Sequence, residues 1–222
     1  MMSVFILLNC KTYDEGTGAN AVKLAEACRD VAESAGVEIA IAPQIPDIFR
    51  VASVTDVPVY SQHIDGAGPG SHTGKVYVKS IQEAGAVGSL INHSERRLTL
   101  AEIESAAEAL KKNGMKSVIC TNNIATTAAA AAIGPEYVAI EPPELIGSGI
   151  PVSKADPGVV TGSVEAVKKI NPNVKVLCGA GISKGEDLKA ALELGSVGVL
   201  LASGIVKAED PKAALYDLVS LI

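Results

Sequence analysis

Eight short runs of apolar residues recur along the chain: Val4–Leu8, Glu38–Ala42, Pro58–Gln62, Gly88–Ile91, Ser117–Cys120, Tyr137–Ile140, Val174–Leu177 and Gly198–Leu201. Each is nearly continuous rather than alternating, which is the pattern of strands covered on both faces. Between them lie segments of helical period. Ala21, Leu24, Ala25, Cys28, Val31, Ala32 and Ala35 make one apolar stripe that stops at Gly36, and Gly114 and Gly195 stop two others. Thr99 with Glu102 and Ser183 with Glu186 have the spacing of a capping box, and Asp210 before Pro211 offers a cap followed by a proline at the first helical position. Strand and helix alternate eight times, and the intervening helices require parallel pairing. The pattern predicts an α/β architecture, a (β/α)8 barrel, as a single domain over residues 1–222.

Composition sharpens this picture. The chain is 48% hydrophobic but only 3% aromatic, with no Trp, so the barrel interior is expected to be aliphatic throughout. A formal charge of −6 with a pI near 5.1 argues against a nucleic-acid partner, which would demand clustered Lys and Arg. The apolar stretch at Met1–Leu8 is too short to span a bilayer and lacks a basic leader, so it reads as a first strand, with no membrane partner and a cytoplasmic location expected. Cys10, Cys28, Cys120 and Cys178 are scattered, with no C-x-x-C pair and no histidine at a metal-binding offset, so reduced, buried thiols and no metal site are expected. The small side chains of Ala128–Ala132 suit close helix packing.

In such a barrel the chemistry sits at the C-terminal ends of the strands. There the chain places Asn9-Cys10-Lys11, Asn92-His93-Ser94-Glu95-Arg96-Arg97, Glu141, Gly179-Ala180-Gly181 and Ala202-Ser203-Gly204. Glu141 closes an apolar run and is followed by Pro142-Pro143 and then by Gly147-Ser148-Gly149. Prolines fix φ where the chain leaves the strand and glycines let backbone N–H groups turn toward an anion, the makings of a base beneath a lid.

Three of these signatures, Asn9-x-Lys11, His93-Ser94-Glu95-Arg96-Arg97 and Glu141-Pro142 leading to Ile146-Gly147-Ser148-Gly149, resemble the triosephosphate isomerase family in its own order and over the full length. The resemblance implies a TIM barrel that interconverts dihydroxyacetone phosphate and D-glyceraldehyde 3-phosphate, in glycolysis or gluconeogenesis, with no cofactor and no metal. It implies Glu141 as the base and His93 as the electrophile, with Lys11 and Asn9 as cation and orienting donor toward the substrate. Ile146, Gly147, Gly181, Ala202 and Ser203 would bind the phosphate, and Glu95 would play a supporting part. A helical turn starting after His93 would favour its neutral form, while Arg96 and Arg97 read as structural. Moving a proton between neighbouring carbons of a hydroxy-ketone needs such a base and such an electrophile.

The longer members of the family carry Ser where Gly181 stands and paired glycines where Ala202-Ser203 stands, so the resemblance is to the shorter archaeal-type members. They also carry an aromatic-containing hinge where this chain has Pro142, Pro143 and Glu144. Gly66–Lys75 looks like a nucleotide loop, but Pro69 stands at the required first glycine and Val76 follows the lysine, so the Walker reading fails. In the family this loop meets a neighbouring subunit, which makes Thr73 and Gly74 expected dimer contacts in a homodimer or homotetramer. His63 and His72 receive no catalytic role. Two rival readings are a phosphosugar isomerase sharing only the last two loops and a non-catalytic barrel that binds phosphometabolites.

Overall fold

The computed structural model describes residues 4–146 and 149–222. Its strands are β1 (Phe5–Asn9), β2 (Glu38–Ala42), β3 (Tyr60–Ser61), β4 (Gly88–Ile91), β5 (Lys116–Thr121), β6 (Tyr137–Ile140), β7 (Lys175–Gly179) and β8 (Gly198–Leu201). They form one eight-stranded sheet in the order β2-β1-β8-β7-β6-β5-β4-β3, with every pairing parallel. The seam between β2 and β3 is bridged by a single parallel pair, Ile41 with Val59, and by Ile41 N–H donating to Pro58 O at 3.0 Å. The sheet therefore curls into a nearly closed TIM barrel. The predicted third strand, Pro58–Gln62, shrinks to two residues. Pro58 has no N–H to give the ladder, and at the other end Gln62 turns its side chain to the carbonyls of Lys11 and Ala42.

The helices are α1 (Ala19–Ala35), α2 (Ile48–Ala52), α3 (Val78–Glu83), α4 (Leu100–Lys112), α5 (Ile124–Ile133), α6 (Val152–Ala155), α7 (Pro157–Ile170), α8 (Gly185–Glu193), α9 (Ser203–Val206) and α10 (Pro211–Val219). Gly36 ends α1 with φ 68°, the left-handed conformation that costs a glycine nothing. Thr99 and Glu102 form the expected capping box at the start of α4, and Asp210 caps α10 ahead of Pro211. The box expected from Ser183 and Glu186 is displaced. Helix α8 begins one residue later than that spacing implies, and Asp187, not Glu186, accepts the N–H groups of Ser183 and Lys184 at 3.2 Å each.

Apolar residues are buried in two layers. One lies between sheet and helices, and the other fills the barrel. The filling is not aliphatic throughout. Phe5, Tyr60 and Tyr137, all at or near the N-terminal ends of their strands, plug the bottom of the barrel, with Phe5 stacked on Tyr137 at 4.7 Å between centroids and tilted against Tyr60 at 6.1 Å. A low aromatic percentage does not say where the few rings go, and a barrel floor takes flat, bulky groups well. Gly88 makes the room, because a Cβ there would run into the Tyr60 ring. Above this floor the interior narrows to small and aliphatic side chains such as Leu7, Ala40, Leu90, Ala139 and Leu177, leaving the mouth for polar groups.

Candidate active site

Asn9 is the last residue of β1, and its side chain, 4% exposed, folds back so that Oδ1 accepts the N–H of Lys11 at 3.0 Å. Lys11 adopts φ 48°, unusual for a side-chain-bearing residue and the kind of backbone strain that surrounding structure must hold in place. The restraint comes partly from Gln62, whose Nε2 donates to Lys11 O at 2.9 Å and to Ala42 O at 3.0 Å. The Lys11 ammonium is brought to Glu95, with Nζ to Oε1 at 2.9 Å.

After β4, Asn92 is likewise left-handed at φ 63° and staples its loop: Nδ2 donates to Cys120 O at 2.9 Å, and Oδ1 accepts the Leu98 N–H at 2.9 Å. Arg97 donates to Asn92 O at 3.0 Å. The chain then makes a single turn, with Arg96 N–H to His93 O at 2.8 Å, and α4 does not start until Leu100. The helical turn expected next to His93 is thus a tight turn. What meets the ring there is Glu95 rather than a helix terminus, its N–H pointing at Nδ1 at 3.3 Å and its Oε2 lying 3.4 Å from the same nitrogen. The other ring nitrogen, Nε2, faces the base. That nitrogen lies 3.6 Å from Glu141 Oε2.

Glu141 leaves β6 with its N–H on Thr121 O at 2.8 Å and is 6% exposed. Burial pushes its carboxyl above the usual carboxylate range, while the charge of His93, a hydrogen bond from the Cys120 thiol and the charge of Lys11 pull the other way. Its Oε2 makes no hydrogen bond among the described residues. The neighbouring strand allows the side chain to lie as it does, because a Cβ at Gly179 of β7 would collide with Glu141 Cγ.

These residues share a cavity of about 80 Å³ with Ile146, Gly149, Gly181, Ala202 and Ser203. Outside it opens a wider cleft of about 440 Å³ that shares Asn9, Lys11 and His93 and adds Gln62 and Arg96. The N–H groups of Gly181, Ser203 and Gly204 make no hydrogen bond among the described residues and so remain available to an anion. The loops carrying them touch, since a Cβ on Gly204 would press on Ser183. Ile146 ends a short 3₁₀ turn, Pro143–Leu145, at the start of the lid. Gly147, expected to bind phosphate, lies outside the described residues. The structure brings together every other residue singled out from the sequence, with Glu95 at the rim between Lys11 and His93. Gln62, Ser183 and Tyr13 were not singled out for the site, and Gly179 was named at its strand end without a role; Gln62 also stands at a strand end, the signal that located the rest. Gly66–Lys75 lies outside the cavity, its base clamped by Asp65, which accepts from Val76 N–H at 2.7 Å and from Lys75 at 3.0 Å.

A parallel barrel that gathers a buried carboxylate, an imidazole and an ammonium group at the C-terminal ends of its strands is an enzyme of the proton-transferring barrel class. A family model described as triosephosphate isomerase matches residues 4–222. Proteins named triosephosphate isomerase from Methanosarcina acetivorans and Methanococcoides burtonii are 72% and 73% identical over 222 and 221 residues, covering all of both chains in each case. One from Methanothermobacter thermautotrophicus is 58% identical over 215 residues, 97% of this chain and 94% of its own. The chain belongs to the triosephosphate isomerase family.

Proposed function

We propose that the chain interconverts dihydroxyacetone phosphate and D-glyceraldehyde 3-phosphate, in glycolysis and gluconeogenesis, with residues 1–222 acting as one catalytic domain. The observation that carries the assignment of roles is the convergence of three groups on one cavity, with His93 Nε2 3.6 Å from Glu141 Oε2 and the Lys11 ammonium beside them. Pairing a carboxylate base with an uncharged imidazole is the familiar example of pKa tuning in this family.

Glu141 takes the proton from the carbon beside the substrate carbonyl. Charge then develops on the carbonyl oxygen, where His93 Nε2–H and the Lys11 ammonium stabilise it. The resulting enediol(ate) is reprotonated at the adjacent carbon by the same carboxylic acid, and His93 shuttles the oxygen-bound proton. A base raised by burial suits both halves, since it must both accept and return a proton near neutrality. Asn9 orients the Lys11 peptide, and Glu95 holds both the Lys11 ammonium and, by its N–H, the ring. The N–H groups of Gly181, Ser203 and Gly204 address the phosphate, with Ile146 beside them in the cavity; Gly147, which the family pattern assigns to the same phosphate, lies outside the described residues.

The protein acts in the cytoplasm as a homodimer or homotetramer. Four free, buried thiols suit a reducing compartment. Exposed Ile45, which lines the wider cleft, and exposed Phe49 in the short helix after it are suited to burial by a second copy. Among the described residues no helix is long and apolar enough to cross a membrane. A coupled assay of the purified protein in both directions tests the reading: turnover of both triose phosphates is expected, and phosphate binding without turnover would replace it with a non-catalytic barrel.

A further inference from the structure

The helix that follows the lid is fastened to the loop after β7 at two points. Val152 N–H donates to Ala180 O at 3.3 Å, and Lys154 Nζ reaches Asp187 Oδ1 at 2.9 Å, with Glu186 a looser second partner at 3.6 Å. Asp187 is 2% exposed, and its other oxygen, Oδ2, accepts the N–H groups of Ser183 and Lys184. A single buried carboxylate thus joins three pieces: the root of the lid, the turn that carries Gly181 to Ser183 along the cavity, and the start of α8. There is no slack between the first two, because a Cβ on Gly181 would strike Ile150 O. Burial pushes the Asp187 carboxyl upward, but hydrogen bonds from Lys154 and from the N–H groups of Ser183 and Lys184, with the lysine charge, outweigh it and hold the carboxyl below its ordinary range. It is therefore charged at neutral pH, and its grip on all three partners is of the charge-assisted kind.

We propose that Asp187 is a positioning residue for the phosphate-facing loop and that Lys154 couples it to the lid root, so that anchoring of the lid and capture of the substrate phosphate are linked. The inference rests on the triose-phosphate reading of the cavity and adds to it a group that touches no substrate. Because Ser183 and Lys184 give their N–H groups to Asp187, the loop is pinned downstream of Gly181, which leaves the Gly181 N–H aimed by the backbone rather than free to wander. Loosening either end of the Lys154–Asp187 pair lets that backbone and the lid root move independently.

The test uses the full chain with Asp187→Asn, Lys154→Met and the double substitution, reading the inhibition constant of inorganic phosphate, KM, kcat and the thermal midpoint. Asp187→Asn keeps the shape and removes the charge, and it is expected to raise both the phosphate inhibition constant and KM by roughly 5- to 30-fold, with kcat at saturation falling far less. Lys154→Met is expected to give a smaller rise in the same two constants. The double variant should match Asp187→Asn rather than the product of the two effects, since the lysine acts through the carboxylate. A lowered thermal midpoint with unchanged phosphate inhibition would reduce Asp187 to a purely structural cap and overturn the inference, and independent, multiplying effects would overturn the coupling. Should Asp187→Asn fail to fold, Lys154→Met decides alone, its half-exposed side chain being dispensable for the core; unchanged phosphate inhibition in that variant overturns the proposal. Wild-type protein that isomerises triose phosphate while these variants bind phosphate normally isolates the failure to this inference, whereas wild-type protein without turnover removes the reading beneath it as well.

Discussion

Gly179→Ala adds one methyl group next to the base and nothing else. A Cβ built there would overlap Glu141 Cγ and approach Glu141 Cδ and Oε1 to 2.9 Å each. Ordinary carbon contacts begin at about 3.5 Å, so the carboxylate must move by about 1 Å. It cannot retreat easily, being 6% exposed with His93 Nε2 at 3.6 Å on one side. A displacement of that size at a reacting group costs on the order of 10²-fold in rate, equivalent to about 2.7 kcal/mol of transition-state stabilisation. Overpacking costs global stability about 1–3 kcal/mol, which a domain of this size should survive. The assay is steady-state kinetics in the coupled system beside a thermal melt. We expect kcat to fall by roughly two decades while KM changes little, because the phosphate loop is not touched. A folded Gly179→Ala protein with wild-type kcat would refute the geometry on which the role of Glu141 rests.

Three further outcomes follow from the same structure. Burial raises the Glu141 carboxyl, so the stability of this group is complete below its unfolded pKa and is lost as pH climbs through the folded value. Glu141→Gln should accordingly melt with wild type at about pH 4 and above it at about pH 7, and the acid limb of wild-type kcat/KM should fall at a pH above that of an ordinary carboxylate; a limb at the ordinary value would contradict the burial argument. The Tyr60 hydroxyl is buried in the barrel floor without a partner among the described residues, so Tyr60→Phe should be neutral or stabilising by about 1 kcal/mol, a rise of roughly 2–4 °C in the melt, and a marked loss of stability would mean that the hydroxyl is satisfied after all. Thr99→Ala removes the capping box of α4 and should cost about 1 kcal/mol in denaturant unfolding without changing kcat.

The barrel was legible because its strands are buried on both faces and therefore announce themselves as unbroken apolar runs. β2, β4, β6 and β8 have the predicted limits to the residue, and β1, β5 and β7 differ by one or two. β3 was the exception, its predicted length cut by a proline and by a glutamine whose side chain is used elsewhere. The mouth was legible for the same reason: polar residues that end such runs must face the cavity. What stayed hidden depends on neighbours distant in sequence. Nothing local in Phe5, Tyr60 and Tyr137 says that their rings meet on the barrel floor. Gly179 looks like any strand-end glycine until the Glu141 side chain is seen beside it. Ser183 with Glu186 fits a capping box as well on paper as Lys184 with Asp187, and only the buried position of Asp187 and its lysine decide between them.

The most direct measurement is turnover of D-glyceraldehyde 3-phosphate and of dihydroxyacetone phosphate by Glu141→Gln against wild type, on protein shown to be folded by its melt. Gln keeps the shape of the side chain and removes its basicity, so the account requires kcat to fall by roughly 10²- to 10⁴-fold in both directions while phosphate still inhibits. Turnover at the wild-type rate in either direction would contradict it.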